Sequence, residues 1–273
     1  MLHAMNPARV QFMTQKLMEM RREEDSTADV DETTVLRGLD VLDVGCGGGL
    51  LCETLTRLGA LTLGIDASAE NIGIASMHAS ADPALNFTHS SPDGSVPSRA
   101  YSSRGGLTYM HTAVENLLSG QHVKQFDVVC SMEVLEHVDN PGTFLRNCAA
   151  LVKPGGHLFL STIARTPLAY ALTILAAEDV LRLVTPGTHT YSKFVNPSEL
   201  LDFFASASSL ESDRPWISRL FDGVPARTEA ETRGIVFVPW RGEWALVPRS
   251  APGAKLWSEG CNYLFWVRRP LLS

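Results

Sequence analysis

Three side chains that could do chemistry stand close together after an apolar, strand-like run. Glu133, Glu136 and His137 follow the run from Phe126 to Ser131. Two carboxylates and an imidazole could bind a divalent cation through oxygen and nitrogen, and they could also provide a general base. If the segment is helical, the three stand at i, i+3 and i+4 and share one face. The alternative is that the acids only favour a helix N-terminus through its dipole and that His137 caps a core contact.

A glycine-dense turn, Gly45 to Gly49, follows a short apolar strand that contains Asp43. Glycine permits positive φ and lets a ligand approach the bare backbone, and the N-terminal amides of the next helix attract a polar ligand. A dinucleotide fingerprint would need Gly or Ala where Leu50 stands, which disfavours a nicotinamide cofactor. The G-x-G-x-G spacing after Asp43 resembles the first motif of class I S-adenosylmethionine-dependent methyltransferases. It makes Asp43, Gly45 and Gly47 candidate cofactor-binding residues, with an ordinary tight turn as the alternative.

A second acid, Asp66, ends the next predicted strand 21 residues after Gly45. An acid about 20 residues beyond the glycine turn stands at the tip of the second strand, where it can accept hydrogen bonds from ribose hydroxyls. The alternative is that Asp66 caps the helix that starts near Ala69. Ser68 could cap that helix instead, which favours the ribose role for Asp66.

The elements that would position these groups alternate along the chain. Strand patterns occur at 39–44, 61–65, 107–111, 126–131 and 157–162, and helix patterns at 50–58, 69–80 and 140–151, with a turn at 153–156. This alternation predicts an α/β, Rossmann-like fold with a mostly parallel central sheet and helices on both faces. Ligands bind such sheets at the carboxyl ends of the strands. Runs at 234–238 and 262–268, with Trp240 and Trp244 nearby, predict a C-terminal β-hairpin region.

Flanking and inserted segments complete the predicted organisation. Residues 8–24 have the spacing of an amphipathic helix, so 1–38 is predicted to be an N-terminal helix and loop ahead of a single domain over 39–273. Residues 90–106 are rich in Ser, Pro, Gly and Arg and indicate a mobile surface insertion. Residues 168–184 are predicted to be an apolar helix, within a candidate membrane or substrate-access segment at 165–195.

Composition excludes several classes of protein. The 273 residues are 45% apolar, enough for one elaborated domain, and the net charge of −7 argues against a general nucleic-acid binder. Five scattered cysteines without a C-x-x-C pair indicate a reducing compartment, not a disulfide scaffold or a zinc site. No apolar run reaches the roughly 18 residues of a membrane span, and the first residues lack the apolar region of a signal peptide.

Several segments together resemble the ubiquinone-biosynthesis O-methyltransferases. They are the glycine turn, the string Phe-Asp-Val-Val-Cys-Ser-Met-Glu-Val-Leu-Glu-His-Val, the string Leu-Val-Lys-Pro-Gly-Gly-His-Leu-Phe-Leu-Ser-Thr-Ile, the Gly-Thr-His…Lys-Phe segment at 187–194, and the Asn-Pro-x-Arg motif that ends at Arg9. The similarity spans about residues 5–247. The chain begins almost at the Asn-Pro-x-Arg motif, without a transit peptide upstream, and its tail beyond about residue 248 is longer than the family pattern.

The resemblance implies roles for matching residues. Arg9, Gly45, Asp66 and Met132 would bind S-adenosylmethionine, and Glu133, Glu136 and His137 would bind Mg²⁺ at the catalytic centre. The implied substrate is a polyprenylated phenol, catechol or quinol of the ubiquinone pathway. The implied location is peripheral, on the matrix side of the mitochondrial inner membrane, with a multi-subunit coenzyme Q biosynthetic complex as a candidate partner. Methylation of another small phenol, or a non-catalytic scaffold that binds the cofactor, are the alternatives.

One uncharged segment suits the access to lipid that such a substrate requires. Residues 167–177 carry no charge; they are too short to span a bilayer but suit a helix that lies in the interface. The alternative is a core or dimer-contact helix. His189 and Lys193, just beyond, could face lipid phosphates or the substrate.

Overall fold

The computed structural model describes residues 2–27, 29–88, 105–119, 123–174, 190–253 and 260–271. These residues form two compact units. The first unit comprises residues 9–131, 147–158 and 271–273, and the second comprises 1–8, 132–146 and 159–270. The predicted division into 1–38 and 39–273 stays a prediction.

Strands and helices alternate through most of the chain, as the sequence predicts. The strands are β1 Asp40–Val44, β2 Leu61–Asp66, β3 Gly106–His111, β4 Phe126–Met132, β5 Val152–Ile163, β6 Leu220–Phe221, β7 Val224–Pro225, β8 Ala230–Val238, β9 Glu243–Leu246 and β10 Asn262–Arg268. The α-helices are α1 Asn6–Glu24, α2 Leu50–Arg57, α3 Ala69–Ser80, α4 Pro141–Ala150, α5 Pro167–Ala169, α6 Pro197–Ala205 and α7 Ala207–Leu210. Short 3₁₀ helices lie at Leu2–Met5, Pro83–Leu85, Val114–Leu118, Leu135–His137 and Tyr191–Lys193.

The first unit is built on a sheet in the order β3-β2-β1-β4-β5. The pairings β1–β2, β1–β4 and β2–β3 are parallel, and Leu42 lies beside Leu63 on one side and Val129 on the other. The middle strands are buried almost throughout, as Val- and Leu-rich strands of a parallel sheet require. The parallel arrangement confirms the α/β prediction.

Local signals place the helices of the first unit. Helix α1 begins two residues before the predicted start and buries Phe12, Met13 and Leu17 on one face. Helix α3 has the predicted bounds, because the Ser68 side chain accepts a hydrogen bond from the backbone N–H of Asn71 and caps the first turn.

The second unit carries the antiparallel part of the fold, in the order β5-β10-β8-β9. Strand β10 pairs antiparallel with β8, and β8 pairs antiparallel with β9 across the turn at 239–242, which confirms the predicted C-terminal hairpin region. Aromatic side chains fill its core. The ring of Phe204 on α6 stacks on Phe265 at 5.7 Å between centroids and also contacts Trp216 at 5.4 Å.

Three predicted elements differ from the structure. Residues 153–156 are not a turn outside the sheet but the first part of β5, where Gly155 takes positive φ within the strand. Gly106, placed in the predicted insertion, already belongs to β3, and residues 90–104 of that insertion lie outside the described residues. The helix predicted at 168–184 starts as α5 and continues as a π-helical turn through residue 174, and its remainder lies outside the described residues.

Among the described residues, no helix is both long enough and apolar enough to span a bilayer.

Candidate functional site

The glycine turn in the first unit presents bare backbone to open space. Gly45, Gly47 and Gly49 all have positive φ, at 77°, 52° and 82°. A Cβ added to Gly47 would meet no heavy atom within 4 Å, and one added to Gly48 would meet only Ile74, at 3.9 Å. The turn leads directly into α2, which has Gly49 as its N-cap. This geometry fits a cofactor that packs against the backbone and uses the amides of a helix N-terminus.

Asp66 joins the end of β2 to this turn. One carboxylate oxygen accepts a hydrogen bond from the backbone N–H of Gly47 at 2.9 Å, and the other accepts one from the backbone N–H of Ser68 at 2.8 Å. The side chain is half-buried. Since Ser68 caps α3, Asp66 is not the N-cap of that helix, and its carboxylate stays a candidate to accept hydrogen bonds from ribose hydroxyls.

Tyr109 of β3 packs against the glycine turn. Its hydroxyl donates a hydrogen bond to the carbonyl oxygen of Gly49 at 3.1 Å, and a Cβ at Gly49 would lie 2.1 Å from that hydroxyl oxygen. A Cβ at Gly64 would likewise overlap the Tyr109 ring. Burial raises the pKa of Tyr109 well above its usual range, so it stays a neutral donor. Tyr109 was not predicted; alternation along β3 was the only available signal.

Asp43, two residues before Gly45, is buried in the interior of the first unit. Its side chain is 2% exposed and accepts hydrogen bonds from the thiols of Cys52, at 3.1 Å, and Cys130, at 3.5 Å. Burial raises the pKa of Asp43 to about 6, while the positive charge of Arg9 acts in the opposite direction. The candidates Arg9 and Asp43 are therefore both buried, and the charge of Arg9 acts on the carboxylate of Asp43.

The acidic segment after β4 does not adopt the helix that would align its three polar groups. Glu133 has a left-handed backbone with φ of 56°, and only Leu135–His137 form a single 3₁₀ turn. The backbone N–H of Glu133 donates to the carbonyl oxygen of Ser161 at 3.0 Å, so it is committed to β5 instead of a helix. The condition for a shared helical face at Glu133, Glu136 and His137, an α-helix through the segment, is therefore not met.

Each carboxylate of this segment has its own hydroxyl partner on β5. The Ser161 hydroxyl donates to Glu133 at 2.7 Å, and the Thr162 hydroxyl donates to Glu136 at 2.7 Å. Glu136 is buried, Glu133 is half-buried and His137 is exposed. Across the described parts of the chain, no group of three or more His, Cys, Asp or Glu side chains gathers in a way that could hold a metal ion. Sequence reasoning missed Ser161 and Thr162, although both stand near the carboxyl end of a predicted strand.

Met132 lies in a strand, and Lys193 lies at the surface in an ion pair. Met132 is the last residue of β4 and is 8% exposed. Lys193 forms an ion pair with Asp139 at 3.0 Å, on the surface of the second unit. His189 lies outside the described residues.

Solved structures with this fold are methyltransferases. The plantazolicin methyltransferase BamL, in complex with a substrate analogue and S-adenosylhomocysteine, superposes with a TM-score of 0.55 at 11% identity, over 97% of this chain and 85% of that one. The magnesium protoporphyrin IX methyltransferase from Synechocystis PCC 6803 with bound S-adenosylhomocysteine superposes with a TM-score of 0.51 at 18% identity, over 96% of this chain and 83% of that one. These similarities show the class I methyltransferase fold.

Sequence relatives define the family more closely. The mitochondrial ubiquinone biosynthesis O-methyltransferase of Schizosaccharomyces pombe is 38% identical over 99% of this chain and 79% of its own length. The mitochondrial enzyme of the same name from Dictyostelium discoideum is 37% identical over 89% of this chain and 65% of its own length, and the Cereibacter sphaeroides enzyme is 36% identical over 91% and 82%. The methyltransferase domain family matches residues 9–211. The chain belongs to the methyltransferase domain family and, within it, to the ubiquinone biosynthesis O-methyltransferases.

Proposed function

We propose that this chain transfers the methyl group of S-adenosylmethionine to a phenolic hydroxyl of a polyprenylated catechol or quinol in ubiquinone biosynthesis. The observation that carries the proposal is the bare backbone at Gly47, which borders open space and is tied to the carboxylate of Asp66. A nucleoside cofactor needs both features at the carboxyl ends of parallel strands. The names of the sequence relatives support the pathway and the substrate class.

The residues of the first unit have binding roles in this reaction. The amides of the glycine turn and of α2 would hold the amino-acid and nucleoside parts of the cofactor, and Asp66 would accept hydrogen bonds from its ribose hydroxyls. Arg9 and Asp43 would support the turn from beneath, because both are buried. Bound S-adenosylmethionine supplies an electrophilic methyl group, so the main task of the protein is to align it with a nucleophilic oxygen.

The segment after β4 would prepare that oxygen. A phenol has a pKa of about 10, as tyrosine does, and attacks well only once its proton has been drawn away. Glu133, Glu136 and His137 are the candidates to accept this proton or to orient the hydroxyl that carries it. Met132, immediately before them in the chain, would contact the cofactor.

We also propose a requirement for Mg²⁺, with Glu133 and Glu136 supplying carboxylate oxygens and His137 as a further ligand. Mg²⁺ usually binds one or two carboxylates and keeps several waters, so it does not demand a preformed cage. The donor types fit, but the three side chains are not gathered, and the ligands would have to rearrange when the cation binds. Such a cation, when bound, would stabilise a phenolate by its charge.

Peripheral membrane attachment is the third part of the proposal. Leu168 and Leu172, four residues apart on the segment that begins with α5, are 45% and 50% exposed, a spacing that places both on one face of a helix that would lie in a bilayer interface. Two relatives are named as mitochondrial, which supports a mitochondrial location; a place on the matrix side of the inner membrane, within a coenzyme Q biosynthetic complex, is the further part of the proposal. Leu172→Asp should reduce flotation with liposomes, whereas Met77→Asp, which changes another exposed apolar residue, should not. Equal flotation of Leu172→Asp and wild type would contradict this part.

The deciding experiment is methyl transfer to a short-chain demethylubiquinol, followed by mass spectrometry. The assay is run with Mg²⁺ and with a chelator, and in parallel with a small catechol that lacks the prenyl chain. Product from the quinol that disappears with chelator supports the reaction and the cation together. Product that still forms in the presence of chelator contradicts the proposed Mg²⁺ requirement and leaves the proposed reaction supported. Transfer only to the small catechol, or none despite cofactor binding, contradicts the proposed substrate.

A further inference from the structure

Glu133 has a backbone conformation that is unfavourable for a residue with a Cβ atom. With φ of 56° it is in the left-handed region, which side chains with a Cβ rarely adopt. Such a conformation persists only where the surroundings hold it, and it is concentrated at functional sites. The residue is half-buried at the end of β4, and the question is which group fixes it.

Ser161 provides three hydrogen bonds to this one residue. The backbone N–H of Glu133 donates to both the carbonyl oxygen and the hydroxyl oxygen of Ser161, each at 3.0 Å. The same hydroxyl donates its proton to the Glu133 carboxylate at 2.7 Å. A serine hydroxyl has one proton to donate and lone pairs to accept, so it links the backbone and the carboxylate of Glu133 in one closed ring. Ser161 is fully buried, which excludes competing water.

The next residue of β5 serves the second carboxylate of the segment. The Thr162 hydroxyl donates to the carboxylate of Glu136 at 2.7 Å. Consecutive strand residues point to opposite faces of a sheet, so each hydroxyl serves one carboxylate. Ser161 is therefore the group that fixes both the conformation of Glu133 and the direction of its carboxylate.

We propose that Ser161 is a positioning residue for methyl transfer and acts through Glu133. The inference rests on the proposed function, in that it assigns Glu133 a part in orienting or deprotonating the phenolic hydroxyl. A carboxylate held in one direction loses little freedom on meeting the substrate, and misplacing it by about 1 Å can cost on the order of 100-fold in rate.

A double-mutant cycle on activity tests the proposal. Wild type, Ser161→Ala, Glu133→Gln and the double variant are compared in kcat and in KM for S-adenosylmethionine. Ser161→Ala should lower kcat about 10- to 100-fold, the usual range for removing a supporting hydrogen bond, and should leave the KM for the cofactor within twofold. In the Glu133→Gln background the same change should cost less than twofold. Equal losses in both backgrounds, or an unaffected Ser161→Ala enzyme, would overturn the proposal.

Ser131→Ala is the matched control, because it removes another buried strand hydroxyl, one that donates to the carbonyl oxygen of Val44. Its activity should stay within twofold of wild type. If Ser161→Ala does not fold, Ser161→Cys, which keeps the size and is a weak donor, takes its place in the cycle.

Wild type, Ser161→Ala, Glu133→Ala and their double variant are unfolded in urea, so that the proposal does not depend on activity alone; alanine is used here because glutamine would still accept from the Ser161 hydroxyl. If Ser161 holds Glu133, the two substitutions should be coupled about tenfold or more in the unfolding equilibrium constant; additive effects would overturn the proposal. An inactive wild type with coupled stabilities would reject the proposed function and the positioning role of Ser161 in methyl transfer, while supporting its structural hold on Glu133.

Discussion

The carboxylate of Asp66 accepts a hydrogen bond from the backbone N–H of Gly47 at 2.9 Å, which ties the end of β2 to the middle of the glycine turn. Its second oxygen accepts from Ser68 at the start of α3. One side chain thus connects three elements around the bare backbone where the cofactor is proposed to bind.

Asp66→Ala should weaken binding of S-adenosylmethionine. The substitution removes the acceptor proposed for the ribose hydroxyls and loosens the turn. Hydrogen bonds to a charged group contribute about 1.5–3 kcal/mol, so the dissociation constant should rise tenfold or more. Titration calorimetry measures it. Asp82→Ala, which removes another acid of the first unit, should bind like wild type, and an unchanged constant for Asp66→Ala would remove the ribose assignment.

Gly49→Ala should destabilise the first unit more than Gly38→Ala. Both glycines have positive φ, at 82° and 77°, so both substitutions carry a similar backbone cost of about 1–2 kcal/mol. Only at Gly49 does the new Cβ overlap Tyr109; nothing lies within 4 Å at Gly38. Overpacking adds about 1–3 kcal/mol. Urea unfolding gives the difference, and equal free energies of unfolding for the two variants would show that Tyr109 does not constrain the turn.

Burial of Asp43 should make stability fall as pH rises through the acid range. Its folded pKa of about 6 lies above the unfolded value of about 3.9. Between these values the folded state holds the proton more tightly, so stability present below about pH 4 is lost by about pH 6. Asp43→Asn removes this dependence. The free energy of unfolding of Asp43→Asn, compared with that of wild type, should rise by roughly 3 kcal/mol between pH 3.5 and pH 7.5.

Asp40→Asn provides the comparison of opposite sign. Partial burial raises the pKa of Asp40, but Lys124 and Lys153 outweigh it and lower the pKa below the usual value. This pairing stabilises the fold at neutral pH, and the stabilisation is lost as pH falls. Asp40→Asn should therefore be less stable than wild type by a larger margin at pH 7.5 than at pH 3.5. Urea midpoints across this range measure both variants; the same trend in both would contradict the assigned environment of Asp43.

Thr162→Val should destabilise the second unit, because it leaves the buried carboxylate of Glu136 without its 2.7 Å donor. Valine has nearly the same shape, so packing is kept and the loss should be about 1.5–3 kcal/mol. Thr108→Val is the matched control: this threonine is also fully buried, but its hydroxyl has no hydrogen-bond partner in the described part of the chain. That variant should be neutral or slightly more stable. Thermal or urea unfolding that ranks the two the other way would disprove the assignment.

The sequence by itself determined the elements whose signals are local. Helix α3 has the predicted bounds because Ser68 caps it, and β10 has the predicted bounds because its apolar run is continuous. The spacing of glycines and the distance to Asp66 predicted the cofactor turn, since strand, turn and second strand are close in sequence as well as in space. The family resemblance extended this to the substrate class, which spacing alone left open.

Only the tertiary structure decided how the acidic side chains are held. Glu133 leaves the helical pattern because its backbone and carboxylate bond to Ser161, 28 residues later. Asp43 is buried, and it accepts hydrogen bonds from Cys52 and from Cys130, which lies 87 residues away. Local propensity contains no information about partners so distant in sequence. The desolvation and hydrogen bonds that they impose exceed the small local preferences that suggested a helix around Glu133.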